Sequence, residues 1–97
     1  MVFNEETKQL YIFGGLKNDS LTLNDLWIFD ITKKTWNKVN QCGQIPKPRA
    51  GHSMNIYQGR IFMFGGLLEV TKESSELFLF DLESNHWTLL KSQEIEE

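Results

Sequence analysis

The sequence predicts an all-β protein made of two similar antiparallel units of four strands each. An internal repeat is the first observation: Gly14-Gly15 recurs as Gly65-Gly66, a shift of 65 − 14 = 51 residues, and no gap is needed from residue 10 to residue 39. The second observation is a series of apolar runs of four or five residues, several of them closed by glycine or aspartate, as expected of short strands. The third is that no apolar pattern of helical period occurs in the chain.

Each unit contains a continuous apolar run that ends at its glycine pair. Leu-Tyr-Ile-Phe at 10–13 corresponds to Ile-Phe-Met-Phe at 61–64. Such a run predicts a strand covered on both faces, because a half-exposed strand would alternate apolar and polar residues. The glycines that follow can adopt positive φ and allow close backbone approach, so a sharp exit from the strand is expected.

Two more strands follow in each unit after a polar loop, at 17–24 and at 69–75. The first is Leu-Trp-Ile-Phe-Asp at 26–30 and Leu-Phe-Leu-Phe-Asp at 77–81, where Asp30 and Asp81 are expected to accept backbone N–H bonds in a tight turn. The second begins at Trp36 or Trp87 and pairs back as a hairpin.

The remaining strand precedes the glycine pair, and only the second unit contains all of it. Two prolines at 46 and 48 keep its start extended, and the chain turns at Gln58-Gly59 into the next strand. In the first unit only residues 1–4 remain at this place. Four antiparallel strands that repeat at this period predict the blades of a β-propeller.

The residues of both units resemble a kelch repeat. The second unit contains Pro-x-Pro-Arg-x-Gly-His-Ser (46–53), Ile-Phe-Met-Phe-Gly-Gly (61–66), Leu-Phe-Leu-Phe-Asp (77–81) and Trp87, and the first contains Leu-Tyr-Ile-Phe-Gly-Gly (10–15), Asn-Asp-Leu-Trp-Ile-Phe-Asp (24–30) and Trp36. The resemblance implies two four-stranded kelch blades, the first lacking most of its inner strand, in an incomplete β-propeller. It implies packing roles, without catalysis, for Gly14, Gly15, Trp36, Arg49, Gly51, His52, Gly65, Gly66 and Trp87.

The repeat divides the chain into an incomplete first blade at 1–39, an inter-blade connection at 40–48, a second blade at 49–90 and an acidic tail at 91–97. A propeller closes with four to eight blades, and each blade here is apolar on both broad faces. We therefore expect further blades from a larger propeller, or self-association, in which three copies would give six blades. A truncated product without independent activity is the remaining alternative.

Composition excludes several classes of protein. The net charge of −3, with no basic block, argues against a nucleic acid or an anionic membrane surface as partner. No run of 18 apolar residues is present, so no membrane span is expected. The acidic pair Glu5-Glu6 argues against a secretory signal peptide, and the single cysteine, Cys42, suits a reducing compartment. The expected location is the cytoplasm.

The residues that could carry chemistry favour structural roles. No paired cysteines, His-x-x-x-His motif or acidic triplet at metal-loop spacing occurs, so neither a metal nor a cofactor is expected. His52 could be a metal ligand or a base, but a structural hydrogen bond in the inner strand is favoured. Ser53 is its neighbour in a strand and faces the opposite side, which excludes a nucleophile–base pair. Cys42 is either a redox thiol or, as favoured, an ordinary residue of the connection.

Arg49 and the tryptophans leave alternatives open. Arg49 could bind a carboxylate of a partner, or it could form an internal ion pair or backbone contact that holds the inner strand. Trp27, Trp36 and Trp87 could stack on a sugar or a base, but their positions in the repeat favour packing within or between blades.

The loops are the predicted place of partner binding. In an antiparallel four-stranded blade, residues 16–24, 40–48 and 67–75 should emerge on one rim, and the rim segments differ most between the two copies. The resemblance implies protein–protein recognition of the scaffold or adaptor kind. An enzyme of the copper-oxidase or sugar-modifying type is the competing class, and no catalytic residue is expected. The candidate partner-contacting residues are Lys17, Asn18, Asp19, Leu68, Glu69, Val70 and Lys72.

Overall fold

The computed structural model describes residues 1–18, 21–69 and 72–91, and within these ranges the side chains of 16–18, 21–22, 69 and 72 are not described. The described residues form β-strands and no helix. The strands are β1 Val2–Asn4, β2 Gln9–Phe13, β3 Leu16–Asn18, β4 Leu21–Thr22, β5 Leu26–Asp30, β6 Thr35–Lys38, β7 Cys42–Gly43, β8 Ser53–Tyr57, β9 Arg60–Phe64, β10 Leu67–Glu69, β11 Lys72–Glu73, β12 Leu77–Asp81 and β13 His86–Lys91.

Blade 1 is the four-stranded antiparallel sheet with the order β1-β2-β5-β6. Its first strand has three residues and the corresponding strand β8 has five; both begin at equivalent positions, Val2 and Ser53, and β1 ends earlier because its turn to β2 is longer. The strand bounds of β2 and β5 match those of β9 and β12 at a shift of 51 residues. The predicted all-β fold with open antiparallel sheets is therefore confirmed.

Blade 2 has the order β7-β13-β12-β9-β8 and contains one strand more than the predicted four. Strands β8, β9, β12 and β13 are antiparallel neighbours. The additional strand β7 comes from the connection between the blades and pairs in parallel with β13, at His86↔Cys42 and Trp87↔Gly43. Its two residues gave no strand pattern in the sequence because they are held by partners more than 40 residues away.

The tight turns follow the predicted chemistry. The carboxylate of Asp30 accepts a hydrogen bond from the Lys33 amide at 3.0 Å, and the carboxylate of Asp81 accepts one from the Glu83 amide at 2.9 Å. The chain reverses at Gln58-Gly59, where both residues have positive φ (49° and 75°). These turns fix the register of each blade, and hence which side chains share a face.

The core lies between the two blades. One face of blade 1 packs on one face of blade 2, and β1 lies close to β8. Trp87 is at the centre of this contact, 0% exposed, with its ring 5.4 Å from that of Phe13 in blade 1 and 4.8 Å from that of Phe80 in blade 2. The buried apolar side chains are Tyr11, Phe13, Leu26, Met54, Ile61, Met63, Phe78, Phe80 and Trp87.

Among the described residues, no second blade lies against the other broad face of each blade. Because neighbouring residues of a strand point to opposite faces, the strand register defines two outer faces. The outer face of blade 1 consists of Phe3, Leu10, Ile12, Trp27, Phe29 and Trp36. The apolar residues on the outer face of blade 2 are Tyr57, Phe62, Phe64, Leu77 and Leu79.

Trp36 and Trp87, which are equivalent in the repeat, differ in their exposure. Trp87 is fully buried, but its repeat equivalent Trp36 is 56% exposed. The ring of Trp36 rests on Phe29 at 4.8 Å and meets Trp27 edge-on at 6.5 Å, so it packs only within its own blade. The physical reason is its face: the surface of blade 2 that carries Trp87 is covered by blade 1, and the equivalent surface of blade 1 is an outer face.

Candidate functional site

A two-stranded hairpin follows the glycine pair of each blade. The hairpin of blade 1 is β3–β4, with Leu16 opposite Thr22, and that of blade 2 is β10–β11, with Leu67 opposite Glu73. Both have a register irregularity after the first pair. The sequence predicted polar loops here, and the short strands within them were missed because each has only two or three residues.

The two hairpins are closed in the same way. The carbonyl of Gly15 accepts a hydrogen bond from the Leu23 amide at 2.9 Å, and the carbonyl of Gly66 accepts one from the Ser74 amide at 2.8 Å. The donors are 74 − 23 = 51 residues apart, which is the repeat shift. The backbone of the two hairpins is thus set by equivalent bonds, although their sequences differ.

Five of the seven predicted partner-contacting residues lie in the strands of these hairpins. Lys17 and Asn18 lie in β3, Leu68 and Glu69 in β10, and Lys72 in β11. Leu68 is half-buried, and for the other four only the backbone is described. Asp19 and Val70 lie outside the described residues.

The inter-blade connection lies beside the first hairpin. The side-chain amide of Asn24 donates to the Pro46 carbonyl at 3.3 Å, and the side-chain amide of Gln41 donates to the Asn24 carbonyl at 2.9 Å. The Gln41 oxygen in turn accepts the indole N–H of Trp87 at 2.7 Å. Gln41 and Asn24 were missed by the sequence analysis, because an isolated amide side chain has no pattern that predicts a long-range bond.

Arg49 is held inside blade 2 by its side chain. Its Nη1 donates to the Gly65 carbonyl at 3.1 Å and to Ser74 Oγ at 3.0 Å, and its Nη2 pairs with Glu76 Oε1 at 3.1 Å. The guanidinium carbon also lies 5.3 Å from the centre of the Phe78 ring. With 0% of its side chain exposed, Arg49 occupies the internal position that the sequence left as one of two alternatives.

The partners of Arg49 could have been found from the repeat. Glu76 occupies the position of Asp25 in the first blade, since 76 − 25 = 51, and an acidic residue just before the third strand recurs in both copies. Ser74 has no polar counterpart, because Leu23 stands at the equivalent position. Comparison of the two repeats therefore predicts the acidic residue but does not predict the serine.

The backbone of Arg49 joins blade 2 to blade 1. Its carbonyl accepts a hydrogen bond from the Gly15 amide at 2.9 Å, and its amide donates to the Leu23 carbonyl at 3.2 Å. A Cβ atom on Gly14 would lie 2.6 Å from the Arg49 carbonyl oxygen, so only glycine permits this approach. The glycine pair of blade 1 therefore contacts the backbone at the start of the inner strand of blade 2.

At Gly51 and His52 the inner segment of blade 2 passes the glycine pair of blade 1. Gly51 has a positive φ of 74°, and the His52 ring then meets the Phe13 ring edge-on at 5.7 Å. Burial, followed by the positive charges of the amino terminus and of Arg49, lowers the pKa of His52 below its ordinary value of 6.5, and a hydrogen bond with the Phe13 backbone acts in the opposite direction. His52 Nδ1 is buried and makes no hydrogen bond within the described part of the protein.

Cys42 and His86 meet at the added strand. Cys42 lies in β7, where its Sγ is 3.3 Å from the Asn85 carbonyl oxygen and its side chain is exposed. A Cβ on Gly43 would lie 2.8 Å from His86 Nε2, so Gly43 and His86 are in close contact. Across the ranges that the structure describes, no three His, Cys, Asp or Glu side chains lie together so as to bind a metal.

Two clefts open on the surface of the described residues. One, of about 300 Å³, lies at the glycine pair of blade 2 and is lined by Gly51, Ser53, Phe64, Gly65, Gly66, Leu67, Glu73 and Ser74. The other, of about 440 Å³, lies at the opposite end of the blades and is lined by residues that include Asn4, Tyr11, Arg60 and Asp81. Burial raises the pKa of Tyr11 there, and the hydrogen bond to Asn4 partly offsets the rise. Among the described residues, no helix is long and apolar enough to cross a membrane.

Comparison with known proteins finds relatives that are much longer than this chain. It is 41% identical over 88 residues to the Rho GTPase-activating protein gacHH of Dictyostelium discoideum, a match of 84% of this chain and 6% of that protein. It is 38% identical over 89 residues to Tip elongation aberrant protein 1 of Schizosaccharomyces pombe, covering 89% of this chain and 8% of that protein. It is 33% identical over 86 residues to a kelch repeat-containing protein of Arthroderma benhamiae, covering 81% and 13%.

A family model matches nearly the whole chain. It is described as the KLHDC2/KLHL20/DRC7 Kelch-repeats domain, and it covers residues 1–96. The match includes both glycine pairs, Trp36 and Trp87, and the Pro-x-Pro-Arg-x-Gly-His-Ser segment that contacts the glycine pair of blade 1. The chain spans about a tenth of the length of the relatives described above. With two open blades of the predicted pattern, this chain belongs to the kelch-repeat family.

Proposed function

We propose that this chain is part of a kelch propeller that recognises another protein through the rim formed by its two hairpins. In this proposal it acts as a scaffold or adaptor-like module in the cytoplasm, without catalytic activity. Kelch-repeat domains commonly serve in protein interaction, which supports the general class of function. The partner is a folded protein or a peptide that contacts residues of both hairpins.

The observation that carries the proposal is that the two hairpins share a backbone but not a sequence. Equivalent hydrogen bonds close both of them, whereas Lys-Asn-Asp-Ser-Leu at 17–21 aligns with Leu-Glu-Val-Thr-Lys at 68–72. On a repeated scaffold, differences confined to such segments are the usual place of partner specificity. The described rim residue Leu68 offers a half-buried apolar side chain to the partner.

The proposed recognition unit is larger than this chain. Two blades expose two apolar outer faces, and a propeller closes with four to eight blades. We propose that further blades, from a longer polypeptide or from self-association, cover these faces. The division into blade 1 at 1–39, connection at 40–48, blade 2 at 49–90 and acidic tail at 91–97 belongs to the same proposal.

The proposal is tested by affinity capture with the full chain as bait, followed by identification of the captured proteins by mass spectrometry. Replacing residues 68–72 by a Gly-Ser sequence of the same length should abolish capture of the specific partner, because it removes the rim side chains while the bond from the Ser74 amide to the Gly66 carbonyl, which closes the hairpin, lies outside the segment. Replacing 17–21 in the same way tests the first hairpin. Purified partner and chain should then bind directly, with an affinity that the replacement lowers at least about tenfold.

The matched control changes the opposite end of the blades. Lys33 and Glu83 are both exposed and lie in the β5–β6 and β12–β13 turns. The double variant Lys33→Ser/Glu83→Ser should capture the partner as the unmodified chain does. Unchanged capture by both hairpin replacements would contradict the rim as the recognition surface, and turnover of a substrate by the purified chain would contradict the non-enzymatic class.

A further inference from the structure

His52 is a titratable residue enclosed between the two blades. Its ring meets the Phe13 ring of blade 1 edge-on at 5.7 Å, and its Cε1 lies 3.4 Å from the place of a Cβ on Gly14. In blade 2, a Cβ on Gly66 would lie 3.0 Å from the Cβ of His52. The imidazole ring is therefore part of the contact between the blades.

Two backbone hydrogen bonds cross this contact close to the ring. The Gly15 amide donates to the Arg49 carbonyl at 2.9 Å, and the Arg49 amide donates to the Leu23 carbonyl at 3.2 Å. His52 follows Arg49 by three residues in the same inner segment. That segment is thus joined to blade 1 by these two bonds and by the packing of the His52 ring on Phe13.

The two nitrogens of the His52 ring have different surroundings. Nδ1 is buried and makes no hydrogen bond with any residue that the structure describes. The bond to the Phe13 backbone therefore involves Nε2, and because this bond raises the pKa, Nε2–H is the donor in it. The neutral ring then has its proton on Nε2. A second proton would have to be placed on Nδ1, as a buried donor without an acceptor, which costs free energy.

The charges around the ring also oppose a second proton. The charged groups that act on it are the amino terminus and Arg49, both positive, and the Glu76 carboxylate is bound to Arg49 at 3.1 Å. The residues packed directly against His52, namely Phe13, Gly14 and Gly66, have no titratable side chain. Burial is the largest cause that lowers the pKa of the ring. The direction does not depend on the amino terminus, because burial and Arg49 both lower the pKa.

We propose that His52 is a pH-sensitive switch in the contact between the blades. Protonation in mildly acidic solution moves the ring out of the contact into water and breaks the bonds of Arg49 to Gly15 and Leu23, while the hydrogen bonds within each blade are kept. A charged ring in water regains its hydration and leaves no buried N–H without an acceptor.

The direction of the pH dependence follows from the proton count. The closed contact binds fewer protons than the open one, because the pKa of the ring lies below 6.5 in the closed contact and returns to about that value in water. The contribution of His52 to the contact is therefore fully present above pH 6.5. It is lost progressively as the pH falls from that value toward the lower pKa of the enclosed ring.

Hydrogen exchange of four backbone amides in the full chain, followed by NMR, tests the proposal without any partner, so it can fail separately from the proposed function. The amides of Gly15 and Arg49 are bonded between the blades, whereas those of Gly14 and Gly65 each donate to a carbonyl of their own blade. Protection factors remove the intrinsic pH dependence of exchange. Below pH 6.5 those of the first two should fall by up to about tenfold per pH unit, the limit for one proton, while those of the other two stay within about twofold.

Two glutamine variants assign the effect to one ring. His52→Gln should abolish the pH-dependent fall, because glutamine does not titrate but keeps a side-chain N–H for the Phe13 carbonyl. His86→Gln removes the only other histidine, which is exposed on β13, and should leave the fall unchanged. The unmodified chain decides if His52→Gln does not fold: the Cε1 proton of His52 should titrate below pH 6.5, together with the loss of protection at Gly15.

Four results would overturn the proposal. All four amides could lose protection together, which would mean that acid destabilises the whole chain and not this contact. None of them could respond to pH. His52→Gln could respond as the unmodified chain does, or the His52 ring could titrate at pH 6.5 or above.

Discussion

Arg49 is fully buried, and each of its three guanidinium nitrogens has a hydrogen-bond acceptor. Nε donates to the Lys47 carbonyl at 3.0 Å, and the other two nitrogens donate to Gly65, Ser74 and Glu76. A buried charge is tolerated only when it is paired and hydrogen-bonded in this way. The same residue bonds blade 1 through its backbone. Its loss should therefore affect both the second blade and the contact between the blades.

We predict that Arg49→Ala lowers the free energy of unfolding by about 3 kcal/mol, because it removes the donor of the Glu76 carboxylate and of three further acceptors. Urea denaturation followed by tryptophan fluorescence measures the change. The control is Lys38→Ala, which removes the exposed ion pair with Asp25 at 3.8 Å and should cost less than about 1 kcal/mol. Equal effects of the two substitutions would contradict a structural role for the buried arginine.

Trp36 and Trp87 show what the sequence could not distinguish at the residue scale. The repeat placed both on the fourth strand of their blades, and both are there. Their exposure, 56% and 0%, depends on whether another blade covers the face, and no local pattern contains that information. The internal position of Arg49 was likewise one of two open alternatives until its long-range partners were known.

At the scale of elements, the four main strands of each blade follow from the sequence, and the short strands do not. The runs at 10–13, 26–30, 61–64 and 77–81 are continuous and apolar, so their bounds were predicted to within a residue. Strand β7 has two residues and is secured by distant groups, among them the Trp87 carbonyl, which accepts the Gln44 amide at 3.0 Å. A segment of that length has no period to detect.

The glycine pairs provide a matched test of the blade contact. Gly14 and Gly65 have similar positive φ, 70° and 75°, so alanine at either position carries similar backbone strain of about 1–2 kcal/mol. Only Gly14 lies under the Arg49 backbone. We predict that Gly14→Ala lowers the free energy of unfolding by ~1–3 kcal/mol more than Gly65→Ala does, because it also forces the inner segment of blade 2 away.

Chemical denaturation of both glycine variants, with hydrogen exchange at the Gly15 amide, checks this. The Gly15 amide should lose protection in Gly14→Ala, since its bond to Arg49 is broken. If Gly65→Ala proves equally or more destabilising, the contact between Gly14 and the Arg49 backbone contributes no stability beyond that of an ordinary glycine turn.

At the scale of the whole molecule, the two outer faces are complementary to one another. Within the chain, the face of blade 1 that carries Phe13 meets the face of blade 2 that carries Trp87. The repeat equivalents of these two residues are Phe64 and Trp36, each half-exposed on an outer face. One copy therefore presents both halves of the interface that already joins its own blades, and such a head-to-tail contact leads to rings or open chains.

We predict that the isolated chain associates with increasing concentration, and that Phe64→Ser or Trp36→Ser reduces this association, because each removes one half of the contact. A mixture of the two variants should still form a one-to-one pair, since each variant retains the half that the other lacks. Sedimentation velocity of the wild type, both variants and their mixture measures this. A compact monomer at every concentration, with a cooperative thermal transition, would contradict the need for further blades.

The sequence by itself determined the repeat, the four main strands of each blade and the family, because these depend on local apolar runs and on glycines and aspartates at fixed spacing. The tertiary structure decided which faces are covered, where Arg49 finds its partners and which glycine pair is occupied. Those features arise from contacts between residues far apart in the chain. Two copies of one pattern thus become physically different, since one glycine pair carries the following blade and the other lines an open cleft.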